Sequence, residues 1–545
     1  MQNPSALVSN QKPSGNKWLV LSTVIFGFFM VLLDTTVILV AFQALHQEFG
    51  GSLNESQWII SVYIMAMGII MPLAGFLADR LGSKKVYLAG LGLFSLGSLL
   101  CGLSSSLYML IAFRVIQGIG GGIAMPLGVS LLLQAFPTEE HGTALGYYGI
   151  VSLVAPALGP ILGGWLVNLN LWRVIFFINP PIGLLGVLLG MRFLREHKGQ
   201  KHYPLDVPGI ITEIIGFGAI LYAASIAAVS GWTSGTTLAW FGVGAVGLVA
   251  FVLVELFVAK EPLLDLRLFG NRIFLNASLL SYVSVIALFG AEFLLPIYLQ
   301  ELRGRSPLET GFILLPMAIT SGILVILSGR IYDKIGPRPL MISGFAILAV
   351  NTWQLSLIRA DTSIGWIIFL LSIRGIALGL TAQTTMVTAL SVVPARYLHR
   401  GSSLSSATRQ VVQAIGVAFL ATILASALSP AVQNLQDQIN NATPASASLI
   451  QTVGFCEATA PGAPPANGAS VDPAAAPTQP GLGQTPPSTT LLQQACAENV
   501  VGFERSYKVT FYASLVALVL GFFLPGWLQK WTGRKTSNSP IATDL

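Results

Sequence analysis

GFLADRLGSKKVYLAGLGLFSL, residues 75–96, returns in altered form as GRIYDKIGPRPLMISGFAILAV, residues 329–350. Both copies open on a glycine (Gly75, Gly329), place an aspartate before a base (Asp79 and Arg80; Asp333 and Lys334), break at a second glycine (Gly82, Gly336) and close on an apolar run. Each copy joins two longer apolar segments. A weaker echo links FPTEEHGTALG (136–146) to VPARYLHRGSSLS (393–405), and Arg114 has a counterpart in Arg374. The chain is therefore read as a duplication, 1–200 and 265–545, with 201–264 inserted between the copies. Parallel repeats with a binding site between them are a carrier architecture, whereas a channel is more often a ring of subunits.

Composition sets the solvent. The chain is 53% hydrophobic and 10% charged, against about 25% charged for an ordinary soluble domain. Apolar runs recur that are each long enough to cross a hydrocarbon core of about 30 Å. Breaking the chain at charged or Gly/Pro-rich stretches predicts an all-α polytopic membrane protein with fourteen spans, near 18–43, 56–78, 85–104, 107–134, 142–168, 171–194, 208–229, 237–258, 273–299, 309–329, 339–358, 365–393, 403–428 and 507–528. That makes two six-helix bundles, 1–200 and 265–545, plus two extra helices in 201–264. The polar opening and the long first apolar run argue against a removed signal peptide.

With the amino terminus inside, 20 of the 29 lysines and arginines fall in cytoplasmic segments, six on the opposite face and three (Arg114, Arg374, Arg409) within spans. That asymmetry is what the positive-inside rule expects, so both termini are expected to be cytoplasmic. The net charge of +6 is a topology signal and implies no nucleic-acid partner.

Charge inside a span is expensive and calls for a function. Asp34 lies deep in the first span; desolvated when the site is closed to water, it should bind a proton reversibly, with a structural hydrogen bond as the alternative. Arg114, in the fourth span, is its expected electrostatic partner. Glu292 is the second candidate for proton coupling. Gln117, Arg409, Gln410 and Glu213 are candidates to line a cavity; Glu213 and Glu255 lie in the two extra spans, where an interfacial or structural role fits equally. Gly75, Asp79, Arg80, Gly82 and Asp333 are expected to form a cytoplasmic gating loop, pairing across the halves or with a helix terminus.

SLVAPALGPILGGWLV (152–167) carries Pro156, Pro160 and Gly164 at i, i+4 and i+8, with Gly159 and Gly163 on the adjoining face. One side of that span is nearly bare, so another helix can approach closely. Spacing alone leaves plain tight packing and a sealing function equally open.

These motifs have a family resemblance. GFLADRLGSKK (75–85) resembles the cytoplasmic loop motif of the major facilitator superfamily, AFRVIQGIGGG (112–122) its fourth-span motif, and APALGPILGG (155–164) the fifth-span signature of its antiporters. LDTTVILVAFQ (33–43), WRVIFFINPPIG (172–183) and SSATRQ (405–410) resemble stretches of the fourteen-span drug:proton antiporters. Leu39, Gln43 and Ala155 depart from that pattern, which usually has Asn, Pro and Gly there. The resemblance implies the major facilitator fold and a sealed, kinked fifth span at the interface of the halves. It also implies a proton-coupled antiporter, of the multidrug efflux type, that exports amphipathic, cationic small molecules across the inner membrane of a prokaryote by alternating access. An exporter of lipid or lipid-like amphiphiles is the alternative. An importer or a sensor that merely binds ranks behind both.

No enzyme site, Walker loop or metal-ligand spacing is found, and no cofactor or metal is expected. The partners expected are the substrate, protons and membrane lipids, on a unit compatible with a monomer. The 429–506 stretch is rich in Ala, Pro, Gly and Ser and is read as an extracytoplasmic loop too poor in apolar residues to bury a core at its centre. Cys456 and Cys496 lie in it and could close a disulfide on the oxidising side, or could both be free.

Overall fold

The protein is described here from a computed structural model that covers residues 16–50, 53–196, 206–259, 261–434, 456 and 489–525. The described residues form helices and no strand. The helices are α1 (Lys17–Phe49), α2 (Leu53–Leu81), α3 (Ser83–Gly102), α4 (Leu107–Ala135), α5 (His141–Asn168), α6 (Trp172–Phe177), α7 (Asn179–Phe193), α8 (Val207–Ser230), α9 (Gly235–Leu253), α10 (Arg272–Ile297), α11 (Pro307–Ile335), α12 (Pro337–Leu355), α13 (Ile364–Thr381), α14 (Thr384–Ser391), α15 (Leu398–Ala425) and α16 (Thr489–Gly521). Eleven helical segments among the described residues are long and apolar enough to cross a membrane, and the protein is a multi-pass membrane protein. Large apolar side chains such as Val246, Phe257, Leu184 and Phe523 stand exposed on the outer faces, where lipid rather than water would meet them.

Two expected spans are each broken into a pair of helices. The 171–194 segment divides into α6 and α7 at Ile178, just before Pro180 and Pro181; neither proline has an N–H to continue the ladder. The 365–393 segment divides into α13 and α14 at Ala382–Gln383. π turns extend α9 over Val254–Val258 and α10 over Tyr298–Leu302. The final helix begins at Thr489, so the last part of the expected loop is helical and continuous with it. Most of the Pro/Ala/Gly-rich centre lies outside the described residues. Cys456 is bonded to Cys496 on that extension, and its backbone N–H donates to Leu302 O at 3.0 Å.

Close approach of helix backbones is made by glycine. On α4, a Cβ at Gly120 would lie 2.3 Å from Phe94 N of α3, while Cβ atoms at Gly118 and Gly122 would lie 2.6 Å from Tyr63 O and 2.4 Å from Met67 O of α2. The helix is therefore clamped on two sides. The α8–α9 hairpin is held the same way, Gly216 against Leu248 N and Gly247 against Gly216 Cα, both at 2.8 Å. The hairpin packs through α8 on α2 and α15. The pairs α5–α11 and α2–α15 join the first part of the chain to the second.

Candidate functional site

The clamped α4 fixes Arg114 and Gln117 one turn apart on the side that faces α1. Asp34 sits opposite and is 2% exposed. Arg114 Nη1 donates to Asp34 Oδ2 at 2.5 Å and to Gln117 Oε1 at 2.8 Å, and Arg114 Nε donates to Ile59 O at 3.1 Å. Asp34 Oδ1 accepts from Gln117 Nε2 at 2.8 Å and from Asn179 Nδ2 at 3.0 Å. The Tyr63 ring lies under the guanidinium, 4.0 Å from centroid to Cζ, a favourable seat for a cation in a dry interior. Asn179 is itself oriented by Ser98, whose Oγ accepts at 2.9 Å and donates onward to Phe176 O at 2.8 Å.

Both carboxylate oxygens are thus satisfied by groups from α4 and α7, and the network is buried throughout. Such an arrangement holds the charged acid only while every donor stays in place. Asn179 has no place among the candidates drawn from the sequence. It lies in the quoted WRVIFFINPPIG stretch, and the break before Pro180 and Pro181 puts it at the first turn of α7, pointing at Asp34.

The proline- and glycine-bearing face of α5 has two partners. A Cβ at Gly159 would lie 2.3 Å from Thr36 Oγ1, and one at Gly163 would lie 3.1 Å from Val37 O, so the glycines meet α1 two and three residues beyond Asp34. Pro160 faces the other way: a Cβ at Gly311 of α11 would lie 3.4 Å from Pro160 Cβ and 2.9 Å from Ile161. Pro156 is half-buried and Gly164 buried. The helix is wedged between the one that carries Asp34 and α11.

At one end of the bundle the loop aspartates of both repeats are engaged. Asp79 Oδ2 accepts from Arg400 Nε at 2.8 Å, and Arg400 Nη2 donates to Glu261 Oε2 at 3.4 Å. Asp333 accepts from the backbone N–H groups of Gly142 and Thr143, both at 2.8 Å, and from Thr143 Oγ1 at 2.6 Å. It therefore caps α5, where the helix dipole favours a negative charge. Around these pairs His399 Nδ1 meets Ser130 Oγ at 2.7 Å, Ser402 Oγ donates to Pro126 O at 2.7 Å, and Lys17 pairs with Glu140.

Gly75 is buried, and a Cβ on it would lie 2.8 Å from His399 O. Gly82 has φ +102°, a conformation that needs glycine, and Glu196 closes over it to accept from Lys84 N at 3.1 Å. Arg80 is exposed. Sequence reading placed Arg400 only among the cytoplasmic bases.

The other candidates lie apart from Asp34. Glu213 faces the α8–α9 seam beside Gly209 and Glu255. Gln410 Cγ lies 3.4 Å from where a Cβ on Gly68 would sit, and Arg409 is half-buried on the same helix. Arg374, the repeat counterpart of Arg114, donates to Thr352 Oγ1 at 3.2 Å and to Ala287 O at 2.9 Å. Glu292 belongs to α10, and its side chain lies outside the described residues. Among the described residues no cluster of His, Cys, Asp and Glu is arranged to hold a metal.

Residues 24–417 match the sequence profile of the Major Facilitator Superfamily. The uncharacterized MFS-type transporter YhcA of Bacillus subtilis is 34% identical over 80% of this chain and 81% of its own length. The multidrug transporter protein MdtP of the same bacterium is 33% identical over 68% of this chain and 69% of its own. Among solved structures, the proton:xylose symporter XylE superposes with a TM-score of 0.57 at 14% identity, covering 94% of this chain and 96% of that one.

Proposed function

The chain belongs to the Major Facilitator Superfamily, it is a transporter and not an enzyme, and from that premise we propose that it exports amphipathic, cationic small molecules in exchange for protons. The observation that carries this reading is the buried Asp34 carboxylate, held by donors from two other helices beside the Gly159–Thr36 contact. A proton arriving on Asp34 removes its ion pair with Arg114, so the α1–α4–α7 junction has two states with different partners. Because α5 bears on α1 next to Asp34 and on α11 through Pro160, a shift at that junction reaches the interface with the second repeat. The similarity to a multidrug transporter supports the cargo class. The assignment to the fourteen-span drug:proton antiporters follows from the same reading.

On this reading residues 1–200 and 265–545 are the two bundles that rock, and 201–264 the accessory pair. Fourteen spans result when α10, α12 and α16 are counted with the eleven apolar segments. The end that carries Asp79 and Asp333 is cytoplasmic, in the inner membrane of a bacterium, and its closed contacts belong to an outward-facing or occluded state. Arg80 and Gly82 belong to that gate, and Glu292 is the candidate for a second coupling acid.

The test is transport of a panel of cationic dyes and labelled phospholipid in proteoliposomes, with and without a proton gradient. Dye accumulation that follows the gradient and is lost in Asp34→Asn supports the proposal. Accumulation with the pH difference and voltage both collapsed overturns it, and phospholipid movement in place of dye overturns the cargo class.

A further inference from the structure

The molecule buries a second set of carboxyl groups, away from Asp34, on the accessory hairpin. Asp206 caps α8, Glu213 lies two turns along it, and Glu255 lies in the π turn that ends α9. Gly209 shares a helix face with Glu213, at i and i+4, and a Cβ on Gly209 would lie 3.1 Å from Glu255 Oε1. Both glutamates therefore look into the α8–α9 seam. Glu213 is 1% exposed and Glu255 2%.

Their hydrogen bonding is incomplete. Glu255 Oε1 accepts from Leu263 N at 3.2 Å and Asp206 Oδ1 from Gly209 N at 3.0 Å. Glu213 Oε1, Glu255 Oε2 and Asp206 Oδ2 are buried without a partner among the described residues. Neither glutamate forms an ion pair there. Two ionised carboxylates cannot stably face each other in so dry a seam, and a proton supplies the donor that the orphan oxygens lack. A π turn is a local departure from the α-helix that often marks a working site.

Among the described residues, the charged groups on the elements packed against this seam are Asp206 of α8, Arg400 of α15, Glu261 of the connector after α9, and Asp265 and Arg267 at the 3-10 turn Leu266–Gly270 that follows it; Asp79 of α2 is reached through Arg400. Arg400 is shared by Asp79 and Glu261. Leu263, which donates to Glu255, lies two residues beyond Glu261, so one short connector touches both the acid seam and the pair that closes the Asp79 end.

We propose that Glu213 and Glu255 form a second proton-binding site, separate from Asp34, whose occupancy sets how firmly Arg400 is held by Asp79. With the proton bound, the pair carries one negative charge less and Arg400 stays with Asp79 and Glu261. With it released to water, the new negative charge competes for the guanidinium through the connector, and the Asp79 end loosens. This goes beyond the export reading and does not depend on it.

The test uses the purified full-length protein. Infrared difference spectra between acidic and alkaline buffer should show a protonated-carboxyl band that persists in Asp34→Asn and is lost in Glu213→Gln and Glu255→Gln. Spin labels at exposed Lys85 and Lys334 should report an Asp79 end that opens with rising pH in the wild type and stays closed in both Gln variants. Bands unchanged in both variants overturn the proposal, as does a lost band with a label distance that still follows pH. If Glu213→Gln does not fold, Glu213→Asp keeps the carboxyl and should keep the band at a shifted frequency; a folded Glu213→Asp without it also overturns the proposal. None of these readouts involves cargo, so they stand or fall separately from proton-driven export.

Discussion

Asp79 and Asp333 occupy the same place in the two sequence repeats, and they hold the same end of the molecule by different chemistry. Each faces the first turn of a helix from the other repeat, and each is preceded by a 3-10 turn on that partner, Thr138–Glu140 before α5 and Ala395–Tyr397 before α15. The supporting contact is shared as well: Gly329 meets Gly142 O and Gly75 meets His399 O, at the second residue of the facing helix in both cases. The difference lies in what the helix starts present. Gly142–Thr143 is small, so Asp333 reaches the backbone N–H groups directly. His399–Arg400 is large, so Asp79 meets a guanidinium that also answers to Glu261. A helix cap draws on backbone donors fixed by the helix itself, whereas an ion pair with a shared cation can be adjusted by the other acid that shares it. One lock is fixed and the other is tunable.

The largest expected effect that sharpens this contrast is from Arg400→Ala, which strands Asp79 and Glu261 without their cation. Removing one partner of a buried pair costs about 4 kcal/mol, and spin labels at Lys85 and Lys334 should show the Asp79 end open. A wild-type distance distribution would break the comparison. Gly329→Ala comes next, because its Cβ would lie 2.3 Å from Gly142 O, a backbone atom that cannot turn aside. We expect about 3 kcal/mol of destabilisation, more than for Gly75→Ala, whose nearest backbone atom is at 2.8 Å. Thermal unfolding of the two variants measures that order.

Asp333→Asn removes the charge and leaves one acceptor for three donors, a loss of about 2 kcal/mol. Its effect should not change when Glu261 is also replaced by Gln, whereas the effect of Asp79→Asn should. A double-mutant cycle on the same label distances decides this. Smallest is Thr143→Val, which deletes the hydroxyl bond and keeps both backbone bonds, for about 1 kcal/mol. A larger loss would mean that the hydroxyl, and not the helix start, carries the Asp333 contact.

Much of this was legible in the chain. Asp34, Arg114 and Gln117 stand out because charge and amide groups are rare in apolar runs, and the structure brings all three together. The duplication could be read from residues 75–96 and 329–350, and Gly82 from its place at the break. Asn179 was not legible as a ligand of Asp34, since an asparagine before two prolines reads as a turn; its role depends on α7 beginning at that residue. Arg400 read as a topogenic base because nothing in the sequence shows that α15 begins beside Asp79. Glu213 read as a cavity candidate because its partner, Glu255, is reached only through the hairpin.

The sequence by itself determined the solvent, through the scarcity of charge, and the doubled plan, through the echoing loop motifs. It also determined where each costly buried acid would lie along its helix. The tertiary structure alone decided which partner each acid has. Asp79 and Arg400 are 321 residues apart, and no local propensity links them. They meet because glycines at the crossings let helix backbones close to contact, and in a low-dielectric interior a shift of a few ångströms decides whether a carboxylate finds a guanidinium, a helix end or only a proton.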